Sequence, residues 1–229
     1  MKKMLLTLAA MLAMTMGVNA QTALELAKQQ KELNKVNRSI LKEKPVKDAR
    51  KEGKRLRKDG WKVPAGELPI EKQISKSMLY EQELMAGEHG TPTTRYIMRT
   101  GIATGGSYNV AHSMARASAL NEIAGLLRTE IVGVWQLKQD NRQESQSKAL
   151  TNDQFNQRVK AIVEQTLTNI QPFMAIYRMV GDNFEVQVRV AADKKEIAAR
   201  LKRNLQKEME EEGDELNSIV DDVMSKKLQ

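Results

Sequence analysis

Apolar and polar side chains alternate most strictly near the C-terminal end of the chain. Phe184, Val186, Val188 and Val190 alternate with Glu185, Gln187 and Arg189, the period of a strand with one buried and one wet face. Pro172–Val180 (PFMAIYRMV) precedes that run, and Gly181-Asp182-Asn183 separates the two, so the pair predicts a β-hairpin. An earlier run, 96–103, holds strand-forming residues with rougher alternation and opens the main domain near Arg95. Between these β segments the period lengthens to that of helices. Over 108–130, Val110, Met114, Ala117, Leu120, Ala124 and Leu127 form an i, i+3, i+4 stripe, with Ala111, Ala115 and Ala119 beside it. The small residues predict close approach to a sheet, and Ser107 is the expected N-cap. Residues 131–137 (IVGVWQL) extend this helix or form a short strand, and polar 138–150 is a loop or a helical extension. Two more helices are expected: 153–168, with Val159, Ile162, Val163 and Leu167 inward, and 193–207, with Ile197, Ala198, Leu201 and Leu205 inward.

Upstream, residues 22–44 place Leu26, Leu33, Val36 and Ile40 on one helical stripe that Pro45 ends. A short helix over 46–59 stops at Gly60. The Gly- and Pro-rich stretch 60–69 is irregular, 70–85 is helical with Ile70, Ile74, Ser77 and Met78 on one face, and 87–92 is a loop. The order β, long α, α, β–β, α predicts an α+β fold: a small, mostly antiparallel sheet packed against two or three helices on one face, preceded by a basic helical arm. The expected divisions are 1–20 signal peptide, 21–69 basic arm and linker, 70–207 α+β domain, and 208–229 acidic helical tail.

The signal-peptide reading rests on Lys2 and Lys3, an apolar run over 4–16 broken by threonines, and small residues at Val18 and Ala20. Gln21 is then the first mature residue, and the run is too short for a membrane span. No later apolar run suits a bilayer, so the mature chain carries no transmembrane span. Export places the protein in the periplasm or at the outer membrane. The chain has no cysteine, which excludes disulfides, a lipid anchor on cysteine, thiolate zinc sites and cysteine nucleophiles.

The formal charge is +8. Residues 21–60 hold 13 Lys and Arg against 6 Asp and Glu. A basic arm usually points to nucleic acid, but an exported chain meets lipid headgroups, lipopolysaccharide phosphates and cell-wall carboxylates instead. The expected partner is an envelope protein or such an anionic surface, not nucleic acid. Arg50, Arg55, Arg57, Lys58 and Trp61 are the candidate contact residues. Against this stand a merely solvated helical face and a tryptophan that plugs a hydrophobic hole. The acidic tail and basic arm are candidates to pair with each other, and an edge strand in so small a sheet invites a homo-oligomer.

No catalytic set emerges. His89 and His112 lack metal spacing, and no GxSxG occurs. Gly105-Gly106-Ser107 ahead of a helix either binds an anion or simply caps. Glu81, Glu83, Glu122 and Glu130 qualify as paired acids only if buried at a set separation. The acidic tail lacks a calcium loop. The expectation is therefore a non-enzymatic protein with no catalytic residues, no metal and no cofactor. The alternatives are an envelope hydrolase accessory, or a small-ligand carrier with a pocket between sheet and helix; an aromatic content of 4% argues against sugar stacking.

Residues 114–132 (MARASALNEIAGLLRTEIV), followed by a second helix and the hairpin, resemble the Lpp-twenty lipoprotein family of small exported bacterial proteins. Ala115, Arg116, Ala119, Leu120, Ile123 and Ala124 stand at matching positions. Residues 50–73 (RKEGKRLRKDGWKVPAGELPIEKQ) resemble a segment in exported proteins of Bacteroides-type bacteria. Together the resemblance covers roughly 50–200. It implies the fold, an envelope location and a structural or accessory role, and no catalytic residues. This chain departs from the family in having no cysteine to lipidate.

Overall fold

The computed structural model describes residues 46–86, 92–140, 152–209 and 213–225. Along them run α1 (Lys47–Lys58), α2 (Ile70–Gln82), β1 (Leu84–Ala86), β2 (Pro92–Thr94), β3 (Tyr96–Gly105), α3 (Tyr108–Asp140), α4 (Asn152–Leu167), β4 (Pro172–Val180), β5 (Asn183–Asp193), α5 (Lys194–Glu208) and α6 (Gly213–Ser225). The fold is α+β, with antiparallel strands throughout. The expected signal peptide, 1–20, and the expected helix over 22–44 lie outside the described residues.

The three-stranded sheet has the order β3-β5-β4. Its central strand is the one with the strict alternation, and Val186, Val188, Val190 and Ala192 all point into the core. The hairpin turns over Gly181-Asp182, with Gly181 at φ 60° and Val180 opposite Asn183. Register places Gly101 of β3 and Ala175 of β4 on either side of Val188.

Helix α3 lies on this face, closer than side chains usually allow. A Cβ added to Gly101 would stand 1.9 Å from the carbonyl oxygen of Ala115, and one added to Gly105 would stand 3.0 Å from the amide nitrogen of Ala111. The line that meets the sheet is therefore Ala111, Ala115, Ala119, continuing through Ile123, Leu127 and Ile131 to Trp135, all buried. This corrects the stripe expected from the larger side chains. Val110, Met114 and Ala117 are exposed, because only alanines fit where backbone meets backbone. The stretch 131–137 is helix, and α3 continues to Asp140. Phe155 of α4 stacks on Trp135 with centroids 4.0 Å apart. Val159, Ile162, Val163 and Leu167 of α4 and Ile197, Leu201 and Leu205 of α5 close the same core. The carboxylate of Asp193 caps α5, accepting from the amides of Lys195 and Glu196.

Two features depart from expectation. The acidic tail is part of the core: Leu216, Ile219, Val220, Val223 and Met224 of α6 are buried at helical spacing behind its carboxylates. Asp221 and Asp222 pair with Lys202 and Lys138. Helices also cover both faces of the sheet. On the side away from α3, Ala49 and Leu56 of α1, Trp61, and Ile70 and Ile74 of α2 form a second core with Met174 and Ile176 of β4. So α1, which the expected boundary at residue 69 places in the arm, lies within the compact unit Val46–Gln229. The short pair β1–β2 was not expected from sequence; its partner residues stand at Leu84↔Thr94 and Met85↔Thr93.

Substituting Gly101→Ala is expected to destabilise the protein by about 3 kcal/mol, because the helix must be pushed off the sheet. Gly125→Ala on α3, where nothing lies within 4 Å of the added carbon, is expected to stabilise it by about 0.5 kcal/mol or more. Urea unfolding of the two variants checks both; a neutral Gly101→Ala would refute the close contact.

Candidate functional site

Helix α1 is held to the domain on one side and cationic on the other. Ala49, Gly53 and Leu56 face inward. Gly53 admits Glu71 of α2, whose Cγ would lie 2.7 Å from a Cβ at that position. The helix ends in a Schellman motif. Gly60, at φ 84°, donates its amide to the Arg57 carbonyl, and Trp61 donates to the Leu56 carbonyl. That turn folds Trp61 onto Leu56, and the Arg178 guanidinium covers the indole at 4.8 Å.

The opposite side presents Lys47, Arg50, Lys51, Lys54, Arg55, Arg57 and Lys58, all exposed. Lys47, Lys51, Lys54 and Lys58 follow i, i+4, i+7, i+11 spacing, a single row about 16 Å long. Arg55 is engaged by Glu52, which raises the guanidinium pKa and lowers that of the carboxyl through their hydrogen bond. Arg57 reaches the largely buried carboxylate of Glu71. Among the described residues no carboxylate forms an ion pair with the four lysines of the row or with Arg50.

Of the five contact residues expected from sequence, Arg50 and Lys58 are exposed and without an ion pair among the described residues, Arg55 and Arg57 are on the same face but ion-paired, and Trp61 is 7% exposed. The tryptophan is a plug, not a contact, because the Schellman turn buries it. The lysine row was missing from that expected set. Its signal was present in the sequence as the 4-3-4 spacing of Lys47, Lys51, Lys54 and Lys58.

The other chemical candidates have structural occupations. Glu81, Glu83 and Glu122 are exposed or nearly so and pair with Arg189, Arg95 and Arg99. His112 lies against Tyr108 at 5.6 Å between centroids; His89 lies outside the described residues. Ser107 accepts from the amide of Val110 at 3.4 Å, the capping role. Alanine and valine side chains pack between the sheet and α3. Concavities are present beside β5 and α5, lined by Ile170, Ala192 and Arg200 among others, about 190 Å³, and beside α4, lined by Arg158, Ile162, Gln165 and Glu208, about 450 Å³. Among the described residues no three His, Asp or Glu converge for a metal ion, and no helix is long and apolar enough to cross a membrane.

Charge is also concentrated where β2 meets β3. Arg95 binds Asp193 at 2.8 Å and also Glu83. Burial disfavours its charge, but these bonds prevail and raise its pKa. Lys194 is buried, its ammonium 3.2 Å from the Thr93 hydroxyl, and burial lowers its pKa. Tyr96 packs edge-on to Tyr80 at 4.7 Å; desolvation, aided by Glu83 and Asp193 against Arg95, raises its phenol to about 12.

Fold and site together define a small α+β domain that carries a cationic helix on the sheet face opposite its main helical layer. No family model matches the chain, and neither the curated proteins nor the solved structures compared with it contain a match.

The raised Tyr96 pKa sets a pH dependence. The native state holds the phenolic proton more tightly than the unfolded chain, whose tyrosines titrate near 10. The stability this contributes is fully present below pH 10 and is lost as pH rises toward 12. Lys194 acts in the opposite sense between its lowered pKa and its ordinary one. Unfolding free energies from pH 9 to 12 are expected to decline less steeply for Tyr96→Phe than for the parent protein; identical slopes would show that Tyr96 is not desolvated.

Proposed function

We propose that this protein is a non-enzymatic component of the bacterial cell envelope, related to the Lpp-twenty proteins, that is exported and docks through the exposed face of α1 on an anionic, phosphate-bearing surface. The observation that carries the reading is the row Lys47, Lys51, Lys54 and Lys58, joined by Arg50, on a helix whose other side is fixed in a core. Protein–protein interfaces favour aromatic anchors and are depleted in lysine. Among the described residues this face presents no aromatic anchor, since Trp61 is turned inward; its one exposed apolar neighbour is Val46 at the start of the helix. A lysine face without an aromatic anchor suits a charged surface better than a folded partner. Lysine is a point charge that tolerates many phosphate geometries, which a headgroup layer or lipopolysaccharide presents.

Each cation near an anionic membrane is worth about 1 kcal/mol, so the five without an ion pair among the described residues supply about 5 kcal/mol. That corresponds to a dissociation constant on the order of 0.2 mM. Docking by one helix is thus weak, reversible and sensitive to salt. Arg55 and Arg57 add less, because binding must compete with Glu52 and Glu71.

Vesicles of zwitterionic lipid with and without an anionic phospholipid test the reading by co-sedimentation. Binding is expected only with the anionic lipid and is expected to fall with added salt. Lys51→Gln with Lys54→Gln is expected to weaken it about 30-fold, whereas Trp61→Phe leaves it unchanged. Equal binding to both vesicle types, or full binding by the double lysine variant, would overturn the proposal. The exported state is checked separately: intact-mass analysis of the native protein is expected to find Gln21 at the N-terminus in a periplasmic fraction, and Met1 retained in the cytosol would remove the envelope from the reading.

A further inference from the structure

The two edges of the three-stranded sheet are treated differently. Along β4 the free backbone groups are covered: Lys62 exchanges two hydrogen bonds with Tyr177, at 2.7 and 2.9 Å, and the side-chain carbonyl of Gln73 accepts from the amide of Ala175 at 2.9 Å. Along β3 nothing of the kind occurs; among the described residues only β5 pairs with it. The residues Thr100–Gly105 of this edge contain no lysine, proline or bulge, the devices that normally blunt an exposed strand.

Three large apolar side chains flank the same stretch. Ile102 is 54% exposed on the face of the sheet away from α3, and Val110 and Met114 of α3 are each 52% exposed. They share one level of the edge. Gly105 lies over Ala111 and Gly101 over Ala115, which brings Ile102 to the height of Val110 and Met114. These two sit on the β3 flank of the helix, because the opposite flank belongs to β4: Tyr108 packs on Tyr177 at 5.5 Å, and Arg116 holds the carbonyl of Ile170 just before β4.

We infer that β3 is the interface for a second copy of this chain, the two β3 strands pairing antiparallel about a two-fold axis perpendicular to the sheet. In the register we assign, Ile102 stands opposite Ile102 of the second copy, Thr100 opposite Thr104, and Gly101 opposite Ala103. An isologous contact of this kind requires a surface that complements itself. Here Ile102 covers its own copy on one face, while the Val110 and Met114 flanks of two antiparallel α3 helices meet on the other. The charges nearest the seam, Arg99 and Glu122, are paired at 3.9 Å within each copy, so a basic chain is not repelled there. A perpendicular axis leaves like faces on the same side, and the six-stranded sheet then carries both α1 helices on one side at its far ends. On the reading proposed above, that doubles the cationic contact; the pairing of β3 does not depend on it.

Because the chain has no cysteine, a single introduced thiol reports the geometry without interference. Directly opposed residues on antiparallel strands place their Cβ atoms about 5 Å apart, within reach of a disulfide. In the full exported chain, Ile102→Cys is expected to give a disulfide-linked dimer on mild oxidation, and Lys160→Cys on the exposed side of α4 is not. Sedimentation of the parent protein at tens of micromolar is expected to show the dimer mass. The exposed-site variants Ile102→Lys and Met114→Glu are each expected to halve that mass with unchanged circular dichroism and unfolding midpoint. A monomeric parent, a dimer that survives both substitutions, or cross-linking at Lys160→Cys as fast as at Ile102→Cys would overturn the inference.

Discussion

Backbone-to-backbone contact between β3 and α3 is the constraint on which the rest of this protein depends. At Gly101 and Gly105 no side chain separates strand from helix, and Ala111, Ala115 and Ala119 leave α3 free to settle there. Contact this close fixes the helix in rotation as well as distance. It turns Ile123, Leu127, Ile131 and Trp135 toward α4, α5 and α6, and it turns Val110 and Met114 out past the sheet edge. A small interior stays dense in this way with few aromatic residues and no disulfide.

With α3 occupying one face, the other is free for α1 and α2. That second core is modest, and its energetic weight falls on Leu56, Trp61, Ile74 and Ile176. What it achieves is orientation. The inward residues Ala49, Gly53 and Leu56 and the Schellman turn at Gly60 point seven cations outward on a fixed frame. A helix this short and this charged would be marginal in isolation; packed on the sheet it presents its lysine row without the entropy of ordering it on contact.

Much of this arrangement was legible in the sequence wherever large apolar residues carry the core. The hairpin, α4 and α5 followed directly from Val186–Val188–Val190 and from Val159, Ile162, Leu201 and Leu205. Reading failed where small residues do the packing. Weight of hydrophobicity favours Val110 and Met114 over Ala111 and Ala115, but shape complementarity with two glycines decides the opposite. The buried face of α6 was hidden by its acidic neighbours, although Leu216, Ile219, Val220 and Val223 have the right spacing. Strands as short as β1 and β2 carry too few residues for periodicity to register. At the site, charge was legible and its partition was not: sequence cannot show that Glu52 and Glu71 occupy two of the arginines, or that a helix cap turns Trp61 inward.

Lysine footprinting by acetylation, read by mass spectrometry with and without anionic vesicles, tests the central claim most directly. Lys47, Lys51, Lys54 and Lys58 are expected to be protected together on the vesicles while the exposed Lys160, Lys195 and Lys207 react as before. Protection of Lys160 or Lys195 with the α1 lysines left reactive would contradict it.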